Sequence, residues 1–480
     1  MKLQRFATAF LLVAAVPVFC QTDANVPTAT PDAAQSDTPG PTMNPSSSRP
    51  EPAAPVSNVE RDEMEVHPPT SDLEDQMLVP PSVSTGGVSL EFASETPRSN
   101  YVSGGLRVVS TYDDNIASGL SSRRISDDSY ALMPTFAWRQ SSSRVLWNLA
   151  YAPGFTFYHH NSGLNQSNHN LGFDSQFRLS PHVTLSLRDA FAKTSNPFNQ
   201  LTPDLSTSTN LTQPAGTIIS PVTNQITNSG SAQLTYQFGS NSMMGATGLF
   251  SDLHYLNPSQ VRGLQNSHSK AAEGFYTYRI SKKHYLGAKY QFQYLLATPI
   301  HAETETHGVN LLYTIYLRPT TSFSVYAGPQ YADSRGGGLP SSKTWSPMYG
   351  GSFAWQGQRM SFAVSGDHSI SAGGGLQGAV RADNASASVR ALLTRSWNAG
   401  VSAFYSDNGL LTPQLSATNG GHSIAGTVSL GRQIANDFNL ELAYTRLHQS
   451  YANLSTLSAV PNTNRVWLSL SYQLTRPIGR

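Results

Sequence analysis

The sequence predicts an all-β chain: a transmembrane antiparallel up-and-down β-barrel of about 18 strands, with 16 as the alternative even count, behind a disordered N-terminal tail. Three observations predict it. From Tyr101 onward, apolar and polar residues alternate with a period of two, over runs about twice the usual strand length. Short polar turns recur roughly every 40 residues, with looser loops between them. Only 13% of the 480 residues are charged, about half the share of a soluble domain. Even so, no stretch after the first 20 residues approaches the ~18 apolar residues of a membrane helix.

In chain order, Lys2 and Arg5 precede an apolar stretch from Ala7 to Phe19. It is too short to span a bilayer and fits a secretory signal peptide over 1–20. Cleavage after Cys20, with Val18 at −3, removes the one cysteine; the alternative is a lipid-modified Cys20, but Phe19 is large for the position before such a cysteine. One cysteine excludes a disulfide framework and a thiolate zinc site. Residues 21–100 hold 13 Pro and 13 Asp+Glu against three Arg (Arg49, Arg61, Arg98), hence −10. Such a composition buries too little apolar surface to offset its ordering entropy, so it reads as a disordered acidic periplasmic tail. The remainder, 101–480, has 26 basic and 17 acidic residues, hence +9. The overall +1 is the sum of two opposed parts, and without a Lys/Arg block it gives no reason to expect nucleic acid as a partner.

The barrel occupies 101–480. Its clearest strands are Leu286–Leu296, Val309–Leu317 and Val466–Leu474, each with an apolar face (Leu468, Leu470, Tyr472) and a polar one (Arg465, Ser469, Gln473). Alternation places strands near 102–113, 128–139, 144–158, 167–180, 182–195, 225–238, 242–255, 267–280, 284–297, 304–318, 321–333, 344–356, 359–371, 380–394, 397–408, 420–433, 437–451 and 463–475. Tight turns centre near Ser142, Pro181, Ser240, Lys282, Thr320, Gln358, Ser396 and Asn436, at intervals of 39, 59, 42, 38, 38, 38 and 40 residues. The long interval contains the longest loop, 196–224. A propeller shares the period near 40 but needs four short strands per repeat, where two long ones stand here. Trp138, Trp147, Trp355 and Trp397 all fall near the tight turns, as an aromatic girdle at one interface requires.

With the apolar face toward lipid, the other face lines the lumen. Its charged candidates are Asp174, Arg178, Arg188, Lys289, Asp367, Arg390 and Glu441, among polar residues such as Gln233, Gln237, Gln291, Gln293 and Asn310. The alternatives are a water-filled passage and an interior filled by ion pairs. Asp113, Asp114, Asp127 and Asp128 bracket the first long loop and are weighed as a divalent-cation site, against a solvated loop with Arg123 and Arg124 beside them. His448 and Ser450 form a His-x-Ser pair without an orienting carboxylate, so no catalysis and no cofactor is expected. The −10 tail beside a +9 barrel is read as a solvated spacer, a lumen plug or the site of a periplasmic partner.

Two segments carry a family resemblance: Tyr112-Asp113-Asp114-Asn115-Ile116 at the end of the first strand, and the closing Ser471-Tyr472-Gln473-Leu474-Thr475-Arg476-Pro477-Ile478-Gly479-Arg480. Both resemble the uncharacterised outer-membrane β-barrel porins of Gram-negative bacteria, some associated with exopolysaccharide export. Many such barrels end on Phe or Trp, whereas the last aromatic here is Tyr472. The resemblance implies the bacterial outer membrane, contact with its lipid and lipopolysaccharide, and a porin-like role. The expected function is passage of small hydrophilic solutes or assistance to polysaccharide export. The alternative is a surface-binding or structural barrel with no open pore, contacting a matrix through loop 196–224.

Overall fold

In the computed structural model, residues 100–118, 121–194, 224–257, 264–336, 338, 341–376, 378–411, 420–435, 437–452 and 454–478 are described. The segments expected as signal peptide (1–20) and disordered tail (21–100, save Asn100), and nearly all of loop 196–224, lie outside them.

The 18 expected strands are present: β1 (Tyr101–Asp113), β2 (Asp127–Ser141), β3 (Val145–Tyr158), β4 (Gln166–Arg178), β5 (Val183–Thr194), β6 (Gln225–Gln237), β7 (Ser242–Tyr255), β8 (Asn266–Arg279), β9 (His284–Thr298), β10 (Ala302–Arg318), β11 (Thr321–Gly336), β12 (Ser342–Gln356), β13 (Met360–Ser371), β14 (Val380–Leu392), β15 (Trp397–Leu410), β16 (Gly421–Ala435), β17 (Phe438–Tyr451) and β18 (Asn462–Pro477). A five-residue helix, α1 (Ser455–Ala459), sits in the last long loop. Each strand pairs antiparallel with the next, and β1 pairs with β18 from Tyr101↔Pro477 to Asp113↔Arg465, which closes the sheet. With a strand spacing of ~4.8 Å and a tilt of ~40°, 18 strands set the backbone wall roughly 18 Å from the axis.

The tight turns form where serine and threonine supply a local acceptor. The hydroxyl of Ser142 accepts the Val145 amide at 3.1 Å, that of Ser180 the Val183 amide at 3.0 Å, and that of Thr394 the Trp397 amide at 3.1 Å. These side chains close hairpins that need no long connection. All such turns, and both ends of the barrel segment, lie at one end of the barrel; the longer loops lie at the other.

Apolar side chains face outward instead of forming a central core. Val108 is 48% exposed, Leu311 65% and Leu468 46%. A closed barrel wearing such a surface is stable only where lipid covers it. The belt is four outward positions tall, counted from the turns. On β17 it runs Phe438, Leu440, Leu442 and Tyr444, followed by Arg446 and His448; on β14 it runs Ala391, Val389, Ala387 and Ala385, followed by Asp383 and Arg381. At ~3.4 Å per residue and ~40° tilt this covers about 20 Å, close to the hydrocarbon thickness such barrels span. Ionisable residues mark its upper edge, where His368 Nδ1 meets Asp383 at 2.5 Å and Arg335 meets Glu305 at 3.3 Å. Trp138, Trp147, Trp355 and Trp397 all lie on outward positions beside the turns, and the Trp138 and Trp147 rings touch edge to face at 4.4 Å. They form the expected interfacial girdle.

Arginine in place of Leu106 should lower stability by about 2–4 kcal/mol, because a guanidinium then enters the belt near its middle. The same residue at lumen-facing Gln473 should cost less than about 1 kcal/mol. Denaturant unfolding of the barrel in lipid vesicles measures both.

Candidate functional site: the lumen

Cross-strand partners share a face, so the register fixes which residues look inward. On β4 and β5 these are the even positions, and on β8, β9, β13 and β17 the odd ones. β14 again uses the even ones. All seven charged lumen candidates take inward positions. Asp174 and Arg188 are direct cross-strand neighbours, Oδ1 to Nε at 2.6 Å, with both side chains about half exposed. Lys289 Nζ meets Glu273 at 3.1 Å, and Glu441 meets Arg107 at 3.2 Å; all four side chains are buried or nearly so. Asp367 accepts the Ser369 hydroxyl at 3.2 Å and the Asn384 amide at 3.3 Å. Arg178 ends β4 and Arg390 lies two residues before the end of β14, both at the turn-side mouth.

The seven therefore do not converge on one point. Four of them sit in three ion pairs, and the two partners from outside the seven, Arg107 and Glu273, were legible only as further inward positions of strands already read. Arg107 also donates to the Ser469 hydroxyl at 3.0 Å and lies 4.9 Å over the inward-facing ring of Trp467. Arg465 is buried directly across from Asp113.

The inward faces divide by exposure. From β16 through β1 to β3, and again over β9–β12, most inward side chains are buried against one another. On β5–β7 and β14 they meet solvent: Arg188, Ala190, Ser229, Ser251 and Ser386 are exposed. Water-facing wall thus exists in mid-lumen, and hydroxyls dominate it.

The loop-side end is different. The described residues of 372–379, between β13 and β14, fold inward as a strap. Gly373, Gly374, Gly375 and Gly378 have φ of 74°, 53°, 114° and 95°, a left-handed region that glycine enters without a Cβ clash. A Cβ on Gly373 would stand 2.5 Å from the Gly378 carbonyl oxygen. The strap reaches β7 and the start of β8: the Gln265 amide donates to the Gly375 carbonyl at 3.0 Å, and the Tyr255 hydroxyl to that of Gly374 at 3.4 Å. β7 and β13 are six strands apart around the barrel, so the strap crosses part of the lumen. Leu376 and Val380 then join Tyr255, Leu264, Tyr451, Leu454 and Leu457 in one buried apolar cluster, the last two residues contributed by the loop carrying α1. The run Gly373-Gly374-Gly375 was the available signal, but it reads as an ordinary short turn until partners six strands away are known.

The four acidic residues of the first loop do not form a cation site. Asp127 accepts the amides of His160 (3.1 Å) and Asn161 (2.9 Å), and Asp114 those of Asn464 (backbone and side chain, both 2.7 Å). Asp128 faces outward, away from Asp127. Among the described residues no group of three His, Cys, Asp or Glu is placed to hold a metal. His448 and Ser450 also point outward; His448 Nδ1 lies 2.9 Å from the Asn462 amide oxygen, and its ring 5.3 Å from that of His422. No nucleophile–base–carboxylate geometry arises there.

No protein-family model and no curated protein matches the chain. Among solved structures it is similar to Pseudomonas aeruginosa OpdQ, at 12% identity and a TM-score of 0.40, covering 78% of this chain and 99% of that one. It is similar likewise to the outer membrane protein OpdK of the same organism (12%, 0.39, 78% and 99%) and to its OccK2 in complex with glucuronate (10%, 0.41, 78% and 98%). At that level of superposition nothing about passage or selectivity transfers from those proteins to this chain.

Leu376→Asp places a carboxylate in the apolar cluster, where an unpaired charge is costly. The strap should detach while the barrel persists. The expected outcome is higher single-channel conductance with unchanged β-sheet circular dichroism.

Proposed function

We propose that the chain is a channel of the bacterial outer membrane for small hydrophilic solutes. The observation that carries this reading is the solvent-exposed inward wall of β5–β7 and β14 inside a closed barrel whose outside is apolar. Water and solutes fit where inward side chains are exposed, and the lipid belt excludes every other polar route. Asp174 and Arg188 stand on that wall as its water-facing ion pair. Lys289 and Glu441 are held by Glu273 and Arg107 and serve the wall's rigidity. No catalytic step belongs to this reading.

The apolar strap at the loop side limits the size of what passes and does not favour a polysaccharide chain as cargo. Segment 1–20 is assigned as the export signal and 21–100 as an acidic periplasmic spacer, in keeping with a barrel that begins at the turn side. The ionisable collar above the belt, including Lys270 and Arg446, suits the headgroups of lipopolysaccharide.

Refolded 21–480 in a planar bilayer should give discrete conductance steps, and proteoliposomes should swell in small sugars. Inserted but silent barrels would assign the molecule to a structural or surface-binding role instead.

A further inference from the structure

The lumen's charge is distributed unevenly along its axis. Higher on the wall, carboxylates and cations sit together: Asp174 with Arg188, Glu273 with Lys289, and Arg107 with a Glu441 that stands three residues into β17 from the turn side. Each pair cancels its own field within a few ångströms. At the turn-side mouth the cancellation stops. Arg178 and Arg279 occupy the last inward positions of β4 and β8, and Arg139 and Arg390 the last but one of β2 and β14, as their partners Thr184, Tyr285, Asn148 and Ser361 show. Among the described residues, none of the four has a carboxylate within ion-pair distance. Arg279 is held by a neutral partner, its Nε donating to the Asn241 side-chain oxygen at 3.0 Å. Glu441, paired with Arg107, acts on Arg390 from beyond ion-pair distance. The turns around the same mouth add Arg144, Lys283, Arg359 and Arg395, and Asp437 is the one carboxylate among their described residues.

We infer that this ring of arginines sets the selectivity of the lumen, so that the channel prefers small anions and collects them at its turn side. The inference rests on the channel reading above and narrows its solute class. Its physical basis is the distance scale. With a wall roughly 18 Å from the axis and an arginine reaching several ångströms inward, the ring's charges lie about 10 Å from a solute on the axis. That equals the Debye length at 0.1 M salt and is about three times that at 1 M. The ring's field therefore fills the mouth in dilute salt and shrinks to the wall in concentrated salt. Among the described residues the loop-side end has no such ring: Asp113 faces Arg465 there, and an apolar strap crosses it. A field at one end of a pore also makes conduction sided.

The test is the reversal potential of barrels inserted in one direction under a KCl gradient. Wild type should favour chloride over potassium, more so around 0.1 M than around 1 M, and its current should rectify. The triple variant Arg178→Gln, Arg279→Gln, Arg390→Gln should lose most of the preference and the rectification. The matching triple Arg→Lys variant should keep both, because charge and not guanidinium geometry is invoked. Glu305→Gln with Arg335→Gln, which removes an ion pair on the outward face, should leave the preference unchanged. A conducting wild type without chloride preference overturns the inference and leaves the channel intact, as does a Gln triple that matches wild type. Inserted barrels that never conduct overturn the channel reading itself.

Discussion

Everything in this structure depends on β1 hydrogen-bonding to β18. In a bilayer an unpaired strand edge leaves a row of amides and carbonyls with no water to satisfy them, at several kcal/mol apiece. The ladder from Tyr101↔Pro477 to Asp113↔Arg465 abolishes that edge. Once the ring is closed, inside and outside are defined for every residue, and the sequence needs only two alternating alphabets. Outward positions carry Leu, Val, Tyr and Phe; inward ones carry Ser, Thr, Asn, Gln and the occasional charge. No central apolar core is needed, because the lipid plays that part.

The two inward-facing chemistries then divide the labour. Where inward side chains are buried, over β16–β3 and β9–β12, arginine and lysine find carboxylate partners within the wall, as Arg107 does with Glu441. An unpartnered buried charge there would be far costlier than one at the mouth, which water solvates. Unpaired arginines are accordingly found at the turn-side rim. The strap needs the opposite device. It crosses a wet lumen, so it needs a dry contact of its own, and Leu376, Val380, Leu454 and Leu457 supply one from two loops.

Much of this was legible in the sequence, and unevenly. Strand positions and the tight turns could be read because both are local: alternation marks a strand such as Val466–Leu474, and a serine or threonine acceptor marks a hairpin such as Ser180. The inward placement of Asp174, Lys289 and Glu441 followed from the same parity. What each of them touches did not, because Glu273 is on the strand beside Lys289 but Arg107 lies two strands from Glu441, across the closure seam. The strap was illegible for a stronger reason. Three consecutive glycines permit almost any backbone path, and the path taken is fixed by Tyr255 and Gln265, more than a hundred residues earlier in the chain. The acidic pairs of the first loop, weighed as a cation site against a solvated loop, diverge because adjacent carboxylates such as Asp127 and Asp128 alternate faces on a strand.

The regular interval between tight turns has a consequence for the history of such a chain. Both ends of the barrel segment emerge on the turn side, so strands enter or leave only in twos, and the hairpin of about 40 residues is the smallest piece that preserves closure. Within the wall, each hairpin pairs only with its two flanking neighbours. Duplicating one would widen the circumference by two strands while leaving every existing ladder in register, whereas adding a single residue within a strand would exchange its lipid and lumen faces. A molecule built this way changes bore in whole hairpins and changes its mouth freely in the long loops. Width and recognition are thereby open to separate revision.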